Sequence, residues 1–127
     1  KALEINPKDH KTLNNLGASL IVVGRHKEAI QRLSVALTLD PYYAQAHNNL
    51  GVALQHQGRI EEAIDHFSTA VLLDPDYTRA YNNLGIILAN QGRYEEAIEQ
   101  FSAALKVNPK FKSARLNLEK SLKAINE

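Results

Sequence analysis

One asparagine recurs at the same place in four successive stretches of the chain, and a second asparagine precedes it in three of them. The first series is Asn15, Asn49, Asn83 and Asn117, and the second is Asn14, Asn48 and Asn82. An asparagine side chain offers two N–H donors and one carbonyl acceptor. A row of such amides can hold the backbone of an extended peptide without selecting its side chains. The alternative, which the sequence leaves open, is that the amides bond neighbouring backbone or simply suit a polar surface.

The other side chains that could take part in catalysis or bind a metal form no catalytic or metal-binding pattern. No two of the five histidines lie at a convincing metal-binding spacing on one helix face. His47 and His26 occupy positions that favour packing, and we expect His66 on the outer side of its helix. The glutamate pairs at 61–62 and 95–96 begin predicted helices, where the helix dipole favours negative charge. We therefore predict no catalytic residue, no metal site, no cofactor and no enzymatic activity.

The composition narrows the class of protein further. The chain has 127 residues, a formal net charge of +1 and no cysteine. A nearly neutral chain without a basic patch and interleaved aromatic residues does not favour nucleic acid. No apolar run is long enough to span a bilayer. We expect a cytoplasmic protein that neither binds nucleic acid nor inserts into a membrane.

Helices must position the asparagines, and the prolines and glycines mark where those helices end. Every proline and glycine recurs at a spacing of 34 residues: Pro7, Pro41, Pro75 and Pro109; Gly17, Gly51 and Gly85; Gly24, Gly58 and Gly92. Between them, apolar residues follow at spacings of three and four, which is typical of one helix face. Each period is therefore predicted to be a helix, a tight turn, a second helix and a proline-marked turn. The predicted helices are 10–23, 27–39, 44–57, 61–73, 78–91, 95–107 and 112–125.

Gly51 and Gly58 need different explanations. A glycine inside a helix costs about 1 kcal/mol relative to alanine, so Gly51 needs a structural reason. We predict that Gly51 is a contact point where two helices cross closely, with small residues such as Ala63 on the partner helix. Gly58 suits the left-handed residue that ends a first helix.

This period resembles the tetratricopeptide repeat. The residues that carry the resemblance are Gly17, Gly51 and Gly85, Ala29, Ala63 and Ala97, Ala36, Ala70 and Ala104, Phe67 and Phe101, and the prolines. The chain departs from the family pattern at Leu33, which replaces the aromatic residue, and it has no tryptophan. The resemblance implies one all-α domain, a right-handed superhelix (α-solenoid) of antiparallel helix pairs. It places repeats at 10–43, 44–77 and 78–111, the end of a preceding repeat at 1–9, and a capping helix at 112–127.

The predicted capping helix differs from the repeats. Glu119 stands where the repeats have glycine, and Lys120 and Lys123 add charge. We therefore expect a polar outer face, as a terminal cap needs, and a natural C-terminus nearby.

The predicted first helix carries an excess of apolar residues. The chain begins with Lys1 and contains no methionine, so we expect it to be a piece of a longer protein. Leu13, Leu20 and the apolar run 21–23 are then expected to be partly uncovered. An uncovered apolar end would favour end-to-end self-association.

The resemblance also implies a concave groove lined mainly by the first helix of each repeat. The residues that it places there are Asn15, Asn49, Asn83, Asn117, Asn48, Asn82, Lys11, Gln45, Arg79, Val52, Gln55, His56, Ile86 and Asn90. Family members with similar asparagine series bind extended peptides, so the expected partner is a protein or peptide. The alternatives are the substrate-recognition segment of a larger enzyme, such as a glycosyltransferase, and a self-assembling scaffold.

The chaperone-tail binders of this family share a two-carboxylate clamp, which the chain mostly lacks. The five clamp positions hold Asn14, Ala18, Asn49, Arg79 and Asn83. Only Asn49 matches the clamp, and Arg79 matches by charge alone. We therefore do not expect chaperone C-terminal tails as the ligand. A mild basic bias along the first helices favours a peptide with some acidic residues, although solvated surface charge explains it equally well.

Overall fold

The computed structural model describes residues 9–127, which form seven α-helices and no strand. The helices are α1 (His10–Val22), α2 (His26–Leu39), α3 (Ala44–His56), α4 (Ile60–Leu73), α5 (Thr78–Asn90), α6 (Tyr94–Val107) and α7 (Lys112–Asn126). The prediction of an all-α chain is confirmed, and every helix end lies within one residue of its predicted position. The segment predicted to end a preceding repeat, 1–9, lies outside the described residues apart from Asp9.

The helices fall into two compact units. The first ends at Leu73 and holds α1 to α4, and the second is Asp74–Glu127 and holds α5 to α7. In the first unit each helix packs on the next, and α1 also meets α3. In the second unit α5 packs on α6 and α6 on α7, while α5 also meets α7. The first helices of successive repeats are therefore neighbours within each unit, and paired packing of consecutive helices is confirmed.

One glycine lies in the tight turn inside each of the three helix pairs. Gly24, Gly58 and Gly92 have φ angles of 86°, 77° and 78°. Glycine adopts this left-handed conformation without the steric cost that a Cβ imposes. At Gly58 the turn is closed by a hydrogen bond of 2.9 Å from the Arg59 N–H to the Leu54 carbonyl. The left-handed stop predicted at Gly58 is confirmed.

The other three glycines lie inside first helices, against a large side chain of the second helix. A Cβ built on Gly51 would lie 2.7 Å from Cε1 and 2.8 Å from Cδ1 of the Phe67 ring. A Cβ built on Gly85 would be similarly crowded by the Phe101 ring, and one built on Gly17 by the Leu33 side chain. The close approach predicted at Gly51 is confirmed. The three atoms nearest to that Cβ all belong to the Phe67 ring, which the prediction did not name. Ala63 is fully buried, and its part in the crossing stays a prediction.

The outer surface of α7 is less polar than predicted. Glu119, Lys120 and Lys123 are exposed. Leu122 and Ile125, however, are also 45% and 41% exposed. The face of α7 away from α6 is therefore mixed.

The apolar residues of α1 are partly covered. Leu13 and Leu20 are buried, so the prediction that they are partly uncovered was wrong. Val22 and Val23 are 85% and 67% exposed, as predicted. Within residues 9–127, no helix has the length and apolar character needed to cross a bilayer.

Candidate functional site

Asparagines join neighbouring first helices within each unit. In the first unit the Nδ2 of Asn49 donates to the Oδ1 of Asn14 over 2.9 Å. In the second unit the Nδ2 of Asn117 donates to the Oδ1 of Asn82 over 3.2 Å. Asn82 in turn donates its Nδ2 to the Ser113 hydroxyl over 3.1 Å. An amide–amide hydrogen bond of the same kind therefore links α1 to α3 and α5 to α7.

The two asparagine series differ in burial. Asn14, Asn48 and Asn82 are 3%, 2% and 5% exposed. A buried amide needs a hydrogen-bond partner, because leaving it unpaired costs about 1–3 kcal/mol. The donors described above supply that partner for Asn14 and Asn82. Hydrogen bonds to side chains of the neighbouring first helix thus account for the burial of Asn14 and Asn82. The peptide contact predicted for Asn48 and Asn82 stays a prediction.

The asparagines of the four-membered series lie nearer the surface. Asn49, Asn83 and Asn117 are half-buried, and Asn15 is exposed. Within residues 9–127, the side chains of Asn49 and Asn117 each make one hydrogen bond, the one to the preceding first helix. That bond fixes the orientation of each amide, and it leaves the carbonyl oxygen and the second N–H for a ligand.

The remaining residues predicted for the groove lie along the first helices. Lys11, Gln45, Arg79, His56 and Asn90 are exposed, and Val52, Gln55 and Ile86 are half-buried. Three of the predicted residues, Ile86, Asn90 and Asn117, come together at one cavity of the second unit. For the others the peptide contact stays a prediction.

This cavity has a volume of about 310 Å³. Helix α5 contributes Ile86, Ala89 and Asn90, α6 contributes Tyr94 and Phe101, and α7 contributes Asn117, Lys120, Ser121 and Ala124. Its lining combines apolar surface, two aromatic rings of α6, two amides and one ammonium group. Sequence reasoning missed Tyr94, Ser121 and Ala124 as site residues. The small side chains at 121 and 124 were the available signal.

Two histidines pair across α3 and α4. The Nε2 of His47 lies 2.8 Å from the Pro41 carbonyl oxygen, and its Nδ1 lies 3.0 Å from the Nδ1 of His66. Since a carbonyl only accepts, His47 carries its proton on Nε2 when neutral, and His66 then donates from Nδ1. His47 is buried, as predicted. The prediction that His66 faces outward was wrong, because it is half-buried against α3.

This pairing predicts a loss of stability in acid. Burial, followed by the charge of His47, lowers the pKa of His66 below its ordinary value of 6.5, against the opposing charges of Asp65 and Glu62. The folded state therefore favours the neutral ring. Its stabilising contribution is complete above the unfolded pKa and is lost as the pH falls through the folded pKa. We expect the melting temperature, followed by circular dichroism, to fall as the pH is lowered below 6.5.

The matched variant is His66→Gln, which keeps an N–H for His47 but does not titrate. Its melting temperature is expected to depend less on pH than that of the unaltered chain. An unchanged pH dependence in the variant would contradict the role assigned to His66.

A second histidine pair lies between α2 and α3. The rings of His26 and His56 stack with centroids 4.3 Å apart and planes inclined by 5°. The Nδ1 of His26 is buried without a hydrogen-bond partner. The packing role predicted for His26 is confirmed. Across the described chain, no cluster of three or more metal-ligating side chains is present.

Models of protein families match the chain from its first residues onward. A model described as tetratricopeptide repeat matches residues 42–110. A TPR repeat model matches 23–58, and another tetratricopeptide repeat model matches 1–31. A search of curated proteins gave no match.

Several solved structures share the fold. The crystal structure of MamA protein is 28% identical, with a TM-score of 0.87 over 94% of this chain and 66% of that chain. The chain thus spans just under two thirds of that structure. The first TPR of Spaghetti (RPAP3), solved with the HSP90 peptide SRMEEVD, is 23% identical, with a TM-score of 0.90 over 99% of this chain and all of that chain. The Sgt2 TPR domain from Aspergillus fumigatus is 21% identical, with a TM-score of 0.88 over 100% of this chain and 85% of that chain.

Proposed function

Because the chain belongs to the tetratricopeptide repeat family, we propose that it is a protein-interaction module that binds an extended peptide segment along its first helices. The face in question is that of α1 and α3 in the first unit and of α5 and α7 in the second. The module binds rather than catalyses. Its proposed setting is the cytoplasm.

The observation that carries the proposal is the orientation of Asn49 and Asn117. Each amide is held by a hydrogen bond to the preceding first helix, so its remaining donor and acceptor are already fixed before a ligand arrives. A peptide backbone presents the complementary acceptor and donor at every residue. Preformed helices and pre-oriented amides lower the ordering cost of binding.

The proposed ligand differs from a chaperone tail. The RPAP3 structure was solved with an HSP90 peptide, so this fold can present a peptide-binding surface. In this chain Asn14 and Ala18 occupy clamp positions, and Asn14 is buried and already bonded to Asn49. Most of the side chains that would grip two carboxylates are therefore missing, since only Asn49 matches the clamp and Arg79 matches by charge alone. A backbone-directed ligand with some acidic character fits better.

We expect Asn15→Ala and Asn49→Ala each to weaken peptide binding by roughly 2- to 10-fold, the value of one hydrogen bond. The two variants differ in their structural cost. Asn15 is exposed, whereas Asn49→Ala leaves the buried Asn14 oxygen unpaired and should also lower the melting temperature. The probes are peptides selected on an array that varies acidic and aromatic content, and their Kd is measured by fluorescence anisotropy.

The control is Gln31→Ala, an exposed change on the second helix α2. It is expected to leave both Kd and stability unchanged. Selected peptides whose Kd is the same for Asn15→Ala, Asn49→Ala and the control would show that the first-helix amides do not hold the ligand.

A further inference from the structure

The two units contain one arrangement twice, with different side chains. Residues two periods apart occupy equivalent places, so His26 corresponds to Tyr94 and His56 to Ala124. In the first unit the His26 and His56 rings stack at 4.3 Å. In the second unit Tyr94 and Ala124 both line the 310 Å³ cavity. A methyl group therefore stands where the first unit has the second ring of a stack.

We propose that the cavity of the second unit accepts a planar aromatic side chain of the bound peptide, stacked on Tyr94 as His56 stacks on His26. The inference rests on the proposed function and names the residue class that the peptide must carry. The first unit supplies the argument for a flat occupant, because the chain itself places a ring at the equivalent point.

The size and lining of the cavity fit this occupant. A cavity of about 150 Å³ is enough to hold benzene in another protein. The volume here is about 310 Å³, which admits a phenyl or phenol ring with its linker. Ile86 and Phe101 supply apolar and aromatic contact, and the amides of Asn90 and Asn117 also line the cavity.

Lys120 adds a charge requirement. It lines the cavity and is exposed, at the place that Val52 holds in the first unit. No ion pair described for residues 9–127 involves Lys120. An ammonium group beside an aromatic pocket favours a carboxylate close to the ring. The ligand class is thus an aromatic residue next to a carboxylate.

The first experiment uses small probes and the whole chain. The 127-residue chain, labelled with ¹⁵N, is titrated with 3-phenylpropionate and, separately, with its saturated counterpart 3-cyclohexylpropionate. Aromatic contacts add to simple burial, so the phenyl probe is expected to bind roughly 2- to 12-fold more tightly and to shift the amides around Tyr94 and Ala124. Equal affinity of the two probes, or shifts confined to other regions, would overturn the inference.

Two reciprocal variants test the stacking geometry. Ala124→His places a ring in the cavity, as in the first unit, and is expected to abolish binding of the phenyl probe. His56→Ala removes the ring from the first unit and is expected to create a second site for the uncharged 3-phenylpropionamide, because Val52 stands there in place of Lys120. This site is seen as new amide shifts around His26. Circular dichroism confirms that both variants fold. Normal binding to Ala124→His, or no second site in His56→Ala, contradicts stacking as the means of recognition.

The charge requirement has its own test. Lys120→Gln is expected to weaken 3-phenylpropionate but not the uncharged 3-phenylpropionamide. Equal losses for both probes, or no loss for either, would remove Lys120 from the proposal.

The outcome is separable from that of the proposed function. Array peptides that depend on Asn15 and Asn49 but bind Ala124→His normally would reject the aromatic pocket and keep the peptide-binding role. A phenyl probe that binds the cavity while no array peptide binds the first helices would keep the aromatic pocket and reject the peptide-binding role.

Discussion

Phe67→Ala is expected to lower the free energy of unfolding by about 3–5 kcal/mol, a large part of the stability of a small domain. The Phe67 ring is fully buried, and it lies against the bare backbone of Gly51. Truncation removes the apolar contact and also leaves a void, because glycine offers no side chain that could move into it. Urea unfolding followed by circular dichroism measures the change.

Gly51→Ala is the matched partner of this variant, and its effect should change sign with the background. In the unaltered chain the new Cβ would lie 2.7 Å from a ring carbon of Phe67. Overpacking of that kind costs about 1–3 kcal/mol and exceeds the gain of about 1 kcal/mol in helix propensity. In the Phe67→Ala background the methyl group enters empty space, so the substitution should stabilise the protein. A substitution that destabilises equally in both backgrounds would show that Gly51 is not required by the ring.

The helix positions could be predicted almost to the residue, because the signals that end helices are local. A glycine such as Gly58 sets its own left-handed turn, and Pro75 excludes the helical conformation from the residue before it. The sequence period repeats these signals in register. No knowledge of the partner helix is needed for them.

The contacts between helices could be predicted only in part. The pattern of apolar residues identifies the face of α4 that packs on α3, but not which side chain of that face meets Gly51. A helical side chain leans towards the N-terminus, and this direction brings the Phe67 ring against the glycine. The same limitation explains His66, which was assigned to the outer side although it meets His47.

The asparagine site was recognised by residue type but not by its internal bonding. The sequence indicates a row of amides, yet adjacent residues of one helix point in directions about 100° apart. One member of each pair is therefore buried, while the next stays near the surface. Asn49 donates a hydrogen bond to Asn14 because α1 and α3 lie close together there. No residue pattern contains the distance between these two helices. The aromatic cavity needed both the fold and a comparison between units.

Asn82 is expected to be the amide on which the second unit depends most. It is 5% exposed, donates to Ser113 and accepts from Asn117, so it ties α5 to α7 at two points. Asn82→Ala removes both hydrogen bonds and leaves a small void, at a combined cost of about 2–4 kcal/mol. Asn15→Ala, an exposed change in the related series, should cost less than about 0.5 kcal/mol and serves as the control.

The loss at Asn82 should be local as well as large. Helix α7 also packs on α6, so it is expected to loosen rather than to detach, and its amides should exchange with deuterium faster in Asn82→Ala. Because α7 supplies Asn117, Lys120, Ser121 and Ala124 to the cavity, the variant should also bind 3-phenylpropionate more weakly. Exchange of α7 that matches the Asn15→Ala control, with no loss of stability, would mean that apolar packing on α6 alone positions the helix. The amide pair would then be a consequence of that packing and not a cause of it.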